Sequence, residues 1–62
     1  MDLKTLETIR TRLSIRCSTL VRESDQAREE GEKQQSDRLW EQMRGVRQSL
    51  EIVDSIIVEH FG

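Results

Sequence analysis

Residues 13–50, LSIRCSTLVRESDQAREEGEKQQSDRLWEQMRGVRQSL, decide the fold because their apolar residues mirror each other about Gly31. Before the glycine, apolar residues recur at steps of three and four, and the same steps return in reverse order after it. The two residue numbers of each mirrored pair add to 63. Within this stretch the pairs are Leu13 with Leu50, Cys17 with Val46, and Leu20 with Met43. Leu6 with Ile57 extends the mirror on either side of it.

This mirrored pattern predicts an all-α fold, an antiparallel two-helix hairpin of the coiled-coil type. Residues three and four apart share one side of a helix, whereas strands alternate every second residue. Helices of equal length that fold back on a tight turn pack with their apolar faces in register. We expect a single domain over residues 1–62, with helix one at about 3–30 and helix two at about 33–60. The predicted hairpin core comprises Leu6, Leu13, Cys17, Leu20, Met43, Val46, Leu50, Val53 and Ile57.

The ends and the turn follow from local chemistry. Asp2 is the predicted N-cap of helix one, since its carboxylate can accept from free amides of the first turn. Gly31 is predicted to reverse the chain because glycine adopts the left-handed conformation without steric penalty. The alternative is a longer connection in which Ser36 caps helix two. Near the turn the inner positions are Ser24 and Ala27, so we expect a thin core and fraying at that end.

Length and composition indicate a protein that needs a partner. Two helices alone rarely bury enough apolar area to offset conformational entropy without a disulfide, a metal or a partner. The only cysteine is Cys17, and no Cys/His cluster has metal-ligand spacing, so we expect neither cofactor nor metal. The net charge of −2 argues against nucleic acid as the main target. No run is apolar enough for a membrane span or a signal peptide, and we expect a cytoplasmic protein.

A second apolar surface lies outside the mirrored seam. Helix two is apolar on several sides near its end, which is typical of a helix buried by more than one neighbour. Tryptophan just outside a seam is typical of an interface anchor, although it can also lap over the hairpin's own core. We therefore predict a partner-binding surface formed by Trp40, Ile52, Ile56, Phe61, Ile9 and Val21.

Charges divide between the two helices. Four arginines and no acid lie between Arg10 and Arg22, and acids without Lys or Arg run from Glu51 to the end. The mirror places Arg12 opposite Glu51 and Arg22 opposite Glu41, where ion pairs would favour the antiparallel arrangement. A basic stripe for RNA is the functional alternative, but adjacent acids would cancel much of its field. Arg10 is predicted to lay its stem on apolar surface with its head in water.

Nothing in the sequence indicates catalysis. His60, the only histidine, has no nucleophile arranged near it, and Cys17 on the inner face is predicted to act as a small apolar filler. Gly45 lies on the outer side of helix two, where glycine costs about 1 kcal/mol relative to alanine. It either marks the close approach of another backbone or is a neutral substitution.

The second half of the chain resembles the small co-chaperones of the type III secretion needle subunit, which are short bacterial helical hairpins. The resemblance runs from Gly31 to Val58: a glutamine-bearing stretch, Trp40 nine residues after the glycine, Gln48-Ser49-Leu50-Glu51-Ile52-Val53, and the branched run Ile56-Ile57-Val58. Helix one matches in length and leucine rhythm only.

The resemblance implies a non-enzymatic role. Such a co-chaperone pairs with a larger tetratricopeptide-like chaperone, and the pair holds the needle subunit in the cytoplasm before it polymerises. The competing reading is a homodimeric four-helix bundle that acts as a regulator or inhibitor through RNA loops or proteins. A symmetric bundle requires comparable second stripes on both helices, whereas helix two carries most of the excess here. That imbalance favours a different protein as the partner, with a homodimer forming when the partner is absent.

Overall fold

The computed structural model describes residues 2–62 as two α-helices, α1 (Leu3–Glu29) and α2 (Lys33–Phe61). They pack against each other as an antiparallel hairpin, which confirms the predicted fold class. The hairpin is a rod of 44 × 14 × 14 Å. Over these residues, neither helix has an apolar stretch of the length needed to cross a lipid bilayer.

The first turn of α1 is capped as predicted by Asp2. The backbone N–H of Thr5 donates to Asp2 Oδ1 at 2.7 Å. The same hydrogen bond lowers the pKa of the Asp2 carboxyl below its ordinary value of 3.8, because it stabilises the charged form. The cap is therefore complete above pH 3.8 and is lost as the pH falls through the depressed pKa.

The reversal between the helices is a tight Schellman turn centred on Gly31. The N–H of Glu32 donates to the Ala27 carbonyl at 2.8 Å, and the N–H of Gly31 donates to the Arg28 carbonyl at 3.0 Å. Gly31 has φ 78°, the left-handed conformation that this motif needs. Since α2 starts directly at Lys33, the alternative of a longer connection capped by Ser36 is wrong.

Gly31→Ala should lower the free energy of unfolding by about 1–2 kcal/mol, because an L-residue is strained in the left-handed region. A Cβ at Gly31 would meet no atom within 4 Å, so backbone strain accounts for the whole effect. Urea unfolding followed by circular dichroism measures the loss. The neighbouring Glu30→Ala, where φ is −83°, should change stability by less than about 0.5 kcal/mol. Equal losses for the two variants would contradict this account of the turn.

The best-buried side chains lie near the turn, where the core was expected to be thin. The buried cluster consists of Leu20, Ala27, Leu39 and Met43, with Cys17, Val21 and Val46 packed against it. Ser24 and Ser36 are also buried, and their hydroxyl oxygens lie 2.9 Å apart. Ser24 Oγ additionally donates to the Ser36 carbonyl at 3.2 Å. The expectation of a thin core is wrong because small side chains let the two helices approach closely and a hydrogen-bonded pair fills the space between them.

The open end of the hairpin is less completely covered. Of the nine predicted core residues, three are buried, namely Leu6, Leu20 and Met43. The other six are half-buried, namely Leu13, Cys17, Val46, Leu50, Val53 and Ile57. His60, which continues the apolar rhythm in sequence, is exposed in the last turn of α2. Leu6 is buried near this end, but Leu13, Leu50, Val53 and Ile57 stay partly open to water.

Candidate protein-interaction surface

Exposed apolar side chains concentrate in the last third of α2. Ile52 is 62% exposed, Val58 is 68% exposed and Phe61 is 46% exposed. Ile56, one turn after Ile52, is half-buried and continues the same side of the helix. A shallow depression along this side is lined by Gln48, Glu51, Ile52, Ser55, Ile56 and Glu59. The end of α2 therefore presents an apolar surface that α1 does not cover.

Trp40 lies on a different side of α2 from the two isoleucines. Its side chain is 37% exposed, so the hairpin covers it only in part. Val58 follows Trp40 by about five full helical turns and shares its direction around the axis. The exposed apolar residues of α2 thus flank its inner face on both sides, which is more than one antiparallel neighbour can cover.

The two predicted partner-binding residues of α1 are less available than those of α2. Ile9 and Val21 are both half-buried, and Val21 packs against the buried cluster near the turn. Val21 therefore contributes first to the hairpin itself. Among the six predicted residues, Trp40, Ile52 and Phe61 are exposed, whereas Ile56, Ile9 and Val21 lie at the margins of the seam.

Sequence reasoning missed one exposed apolar residue, Ile15, which is 61% exposed on α1. The signal for it was present, because Ile15 follows the seam residue Leu13 by two positions, about 200° around the helix. Val58, which is 68% exposed, also belongs to the uncovered surface of α2 and was not among the predicted partner-binding residues.

Electrostatic contacts between the helices are sparse. Within residues 2–62 the one ion pair joins Arg10 Nε and Asp54 Oδ1 at 3.5 Å, with both side chains about half exposed. The predicted pairs of Arg12 with Glu51 and of Arg22 with Glu41 do not form. Arg10 was expected to leave its head in water, but Asp54 on the facing helix reaches it. An exposed pair of this kind contributes roughly 0.2–1 kcal/mol, so it adds little to the stability of the fold.

The two interhelical polar contacts also measure the register. The numbers of Arg10 and Asp54 add to 64, and those of Ser24 and Ser36 add to 60. Both values lie within one helical turn of the 63 read from the sequence. At both contacts, the pairing of the two helices therefore agrees with the mirrored sequence pattern to within one helical turn.

No arrangement of reactive groups accompanies this surface. In the described part of the chain, no three His, Cys, Asp or Glu side chains converge as metal ligands. Cys17 is a half-buried thiol beside the buried cluster, and His60 is exposed near the end of α2. One surface depression is formed by residues 31–35 and Arg38, and another by Arg28, Gly31, Lys33, Ser36 and Asp37.

Comparisons with protein-family models, characterised proteins and solved structures give no significant match.

Proposed function

We propose that this chain is a non-enzymatic co-chaperone that pairs with a larger helical-repeat chaperone to hold a type III secretion needle subunit in the cytoplasm. The observation that carries the proposal is the uncovered end of α2, where Ile52, Val58 and Phe61 are exposed on a helix that has one neighbour. Exposed apolar surface of this kind marks contact with another protein.

The accessible surface of the hairpin supports the need for a partner. It amounts to 4955 Å² for a chain of 7.3 kDa. A compact monomer of this mass would expose about 4,200 Å², so the excess is roughly 800 Å². A standard protein interface covers about 800 Å² on each partner. The hairpin thus exposes about one interface's worth of surface more than a compact protein of its size.

A helical partner fits this surface best. Ile52 and Ile56 follow the long axis of α2 on one side, so a second helix laid along that side would bury both. The helical-repeat chaperone is proposed on the resemblance carried by Gly31–Val58 to needle-subunit co-chaperones. In that arrangement the hairpin supports the larger chaperone, and the needle subunit is held mainly by the chaperone.

A homodimeric four-helix bundle is the second candidate. The exposed Ile15 on the outer side of α1 favours it, because apolar exposure is then not confined to α2. As a regulator or inhibitor, such a bundle would use its outer helices for protein or RNA-loop contacts.

Co-expression of the chain with a needle subunit and its tetratricopeptide-like chaperone tests the first proposal, with co-purification as the measurement. We expect a complex with the chaperone, and we expect Ile52→Asp to abolish it. Ile52 is 62% exposed, so the charge enters the interface without entering the hairpin core. Burying an unpaired carboxylate in an apolar contact is strongly unfavourable.

Gln34→Ala is the control, since Gln34 is exposed near the start of α2, well away from the isoleucines. It should bind as the parent chain does, and all variants should keep their helical circular dichroism. Failure of the parent chain to co-purify would reject the secretion role. An intact complex with Ile52→Asp would show that the chaperone uses another face.

A further inference from the structure

Gly45 is a residue that the hairpin itself does not require. It lies within α2, and a Cβ built on it would meet no atom within 4 Å. Its φ is not positive, so no backbone conformation calls for glycine at this position. Glycine inside a helix lowers helix stability relative to alanine. A glycine that weakens its own helix and has no neighbour within the hairpin indicates contact with another molecule at this position.

Gly45 begins a stripe along α2 that we call the G45 stripe: Gly45, Ser49, Ile52 and Ile56. The steps of four, three and four are those of a helix-pairing seam. All four residues are uncharged in a chain that is 35% charged. Ser49 Oγ donates to the Gly45 carbonyl at 3.2 Å, so its hydroxyl is already satisfied within the helix. The serine can therefore face apolar side chains without leaving a donor unpaired.

We propose that the G45 stripe is the contact surface for a second copy of the chain, with the two α2 helices antiparallel about a two-fold axis. Along the helix, the axis lies midway between the levels of Leu50 and Glu51, on the side of the stripe. Gly45 of each copy then faces Ile56 of the other, and Ser49 faces Ile52. Each isoleucine enters the space that a small residue leaves open.

The order of residue sizes is what selects a second copy as the occupant. The two small residues stand at one end of the stripe and the two large ones at the other. Antiparallel pairing of the stripe with itself sets small against large at every level, as an isologous contact requires. Parallel pairing would set isoleucine against isoleucine and leave a gap at the glycine. The excess accessible surface of roughly 800 Å² is enough for one side of such an interface.

The dimer stands independently of the co-chaperone role. One consequence rests on that proposed function, namely that dimer and chaperone complex exclude each other, since Ile52 and Ile56 would serve both. The dimer would then keep the apolar stripe covered until the chaperone is present.

Sedimentation equilibrium of the purified chain tests the dimer. The parent chain should be a reversible dimer, and Gly45→Leu should raise its dissociation constant about tenfold or more by overfilling the contact. The helicity of Gly45→Leu should stay equal or rise, because the position is open in the hairpin. Gln34→Leu is the matched control: it adds the same side chain on the same side of α2, opposite a position beyond the end of the partner's helix.

Disulfide trapping tests the register. In a Cys17→Ala background, a mixture of the Ser49→Cys and Ile52→Cys chains should give the mixed disulfide on mild oxidation. Each variant alone should give much less, since like positions do not face each other in the antiparallel pair. Preferential Ser49→Cys homodimers would indicate parallel pairing and overturn the proposed arrangement.

Two outcomes of sedimentation would overturn the proposal. The first is a parent chain that stays monomeric up to roughly 1 mM. The second is a dimer that Gly45→Leu leaves unchanged, which would place the contact on another face. Both measurements use the chain alone, so they are separate from the test of the chaperone complex. A failed co-purification would not bear on the dimer. An absent dimer would likewise not bear on binding to the chaperone.

Discussion

Leu20→Ala is expected to lower the free energy of unfolding by about 2–5 kcal/mol, the range for truncating a fully buried leucine. Leu20 has no exposed surface and belongs to the buried cluster with Ala27, Leu39 and Met43. A domain of 62 residues is stabilised by roughly 3–9 kcal/mol in total. The truncation therefore removes a large part of the stability of the hairpin, and the urea midpoint should fall well below that of the parent chain.

Urea titration followed by circular dichroism at a fixed protein concentration measures this effect. Ile15→Ala is the matched control, because it removes a similar side chain from the same helix at a site that is 61% exposed. It should change stability by less than about 0.5 kcal/mol. A loss for Ile15→Ala as large as that for Leu20→Ala would mean that Ile15 is covered in solution, which would favour the homodimeric bundle.

The fold was predictable because one helix pair leaves few alternatives. The three-and-four steps define the inner face of each helix, and Gly31 with φ 78° supplies the reversal that their mirror requires. The helices end within one residue of the predicted limits, with α1 closing at Glu29 and α2 at Phe61. Periodicity alone sufficed since no tertiary contact competes with it in a two-helix protein.

The distribution of burial was not predictable from hydrophobicity. Ser24 was predicted as an inner position of a thin core and Ser36 as an alternative cap, yet both are buried and hydrogen-bonded to each other. Small residues favour a close approach of two backbones, an effect of shape that hydropathy does not encode. Leu50 and Ile57 are as apolar as Leu20, yet they stay half-buried whereas Leu20 is fully buried.

The candidate surface was predicted in part. Excess apolar residues on α2 identified Trp40, Ile52 and Phe61, all exposed in the hairpin. Val21 was predicted to contact the partner, but it packs against the buried cluster. A side chain that flanks a seam can point either toward the facing helix or toward solvent. Periodicity predicts the direction in which a side chain points around the helix. Whether the neighbouring helix buries that side chain depends on the distance between the helices, which only the structure gives.

Removal of the buried hydroxyl pair should give unequal losses for its two members. Ser24→Ala leaves the Ser36 hydroxyl buried without its partner on α1, and we expect a loss of about 1–3 kcal/mol. Ser36→Ala should cost less, because Ser24 Oγ keeps the Ser36 carbonyl as an acceptor at 3.2 Å. Alanine gains helix propensity over serine at both positions, so this gain does not affect the comparison.

A double-mutant cycle measured by urea unfolding separates the shared bond from these single effects. The double variant should be no less stable than Ser24→Ala alone, because it leaves no hydroxyl unpaired between the helices. Losses that are equal and additive would show that the two hydroxyls act independently and that the small volume of the side chains is what this position requires. The predicted asymmetry instead ties the register of the turn end to one directional contact, in which the Ser24 hydroxyl on α1 donates to the Ser36 carbonyl and lies 2.9 Å from the Ser36 hydroxyl on α2.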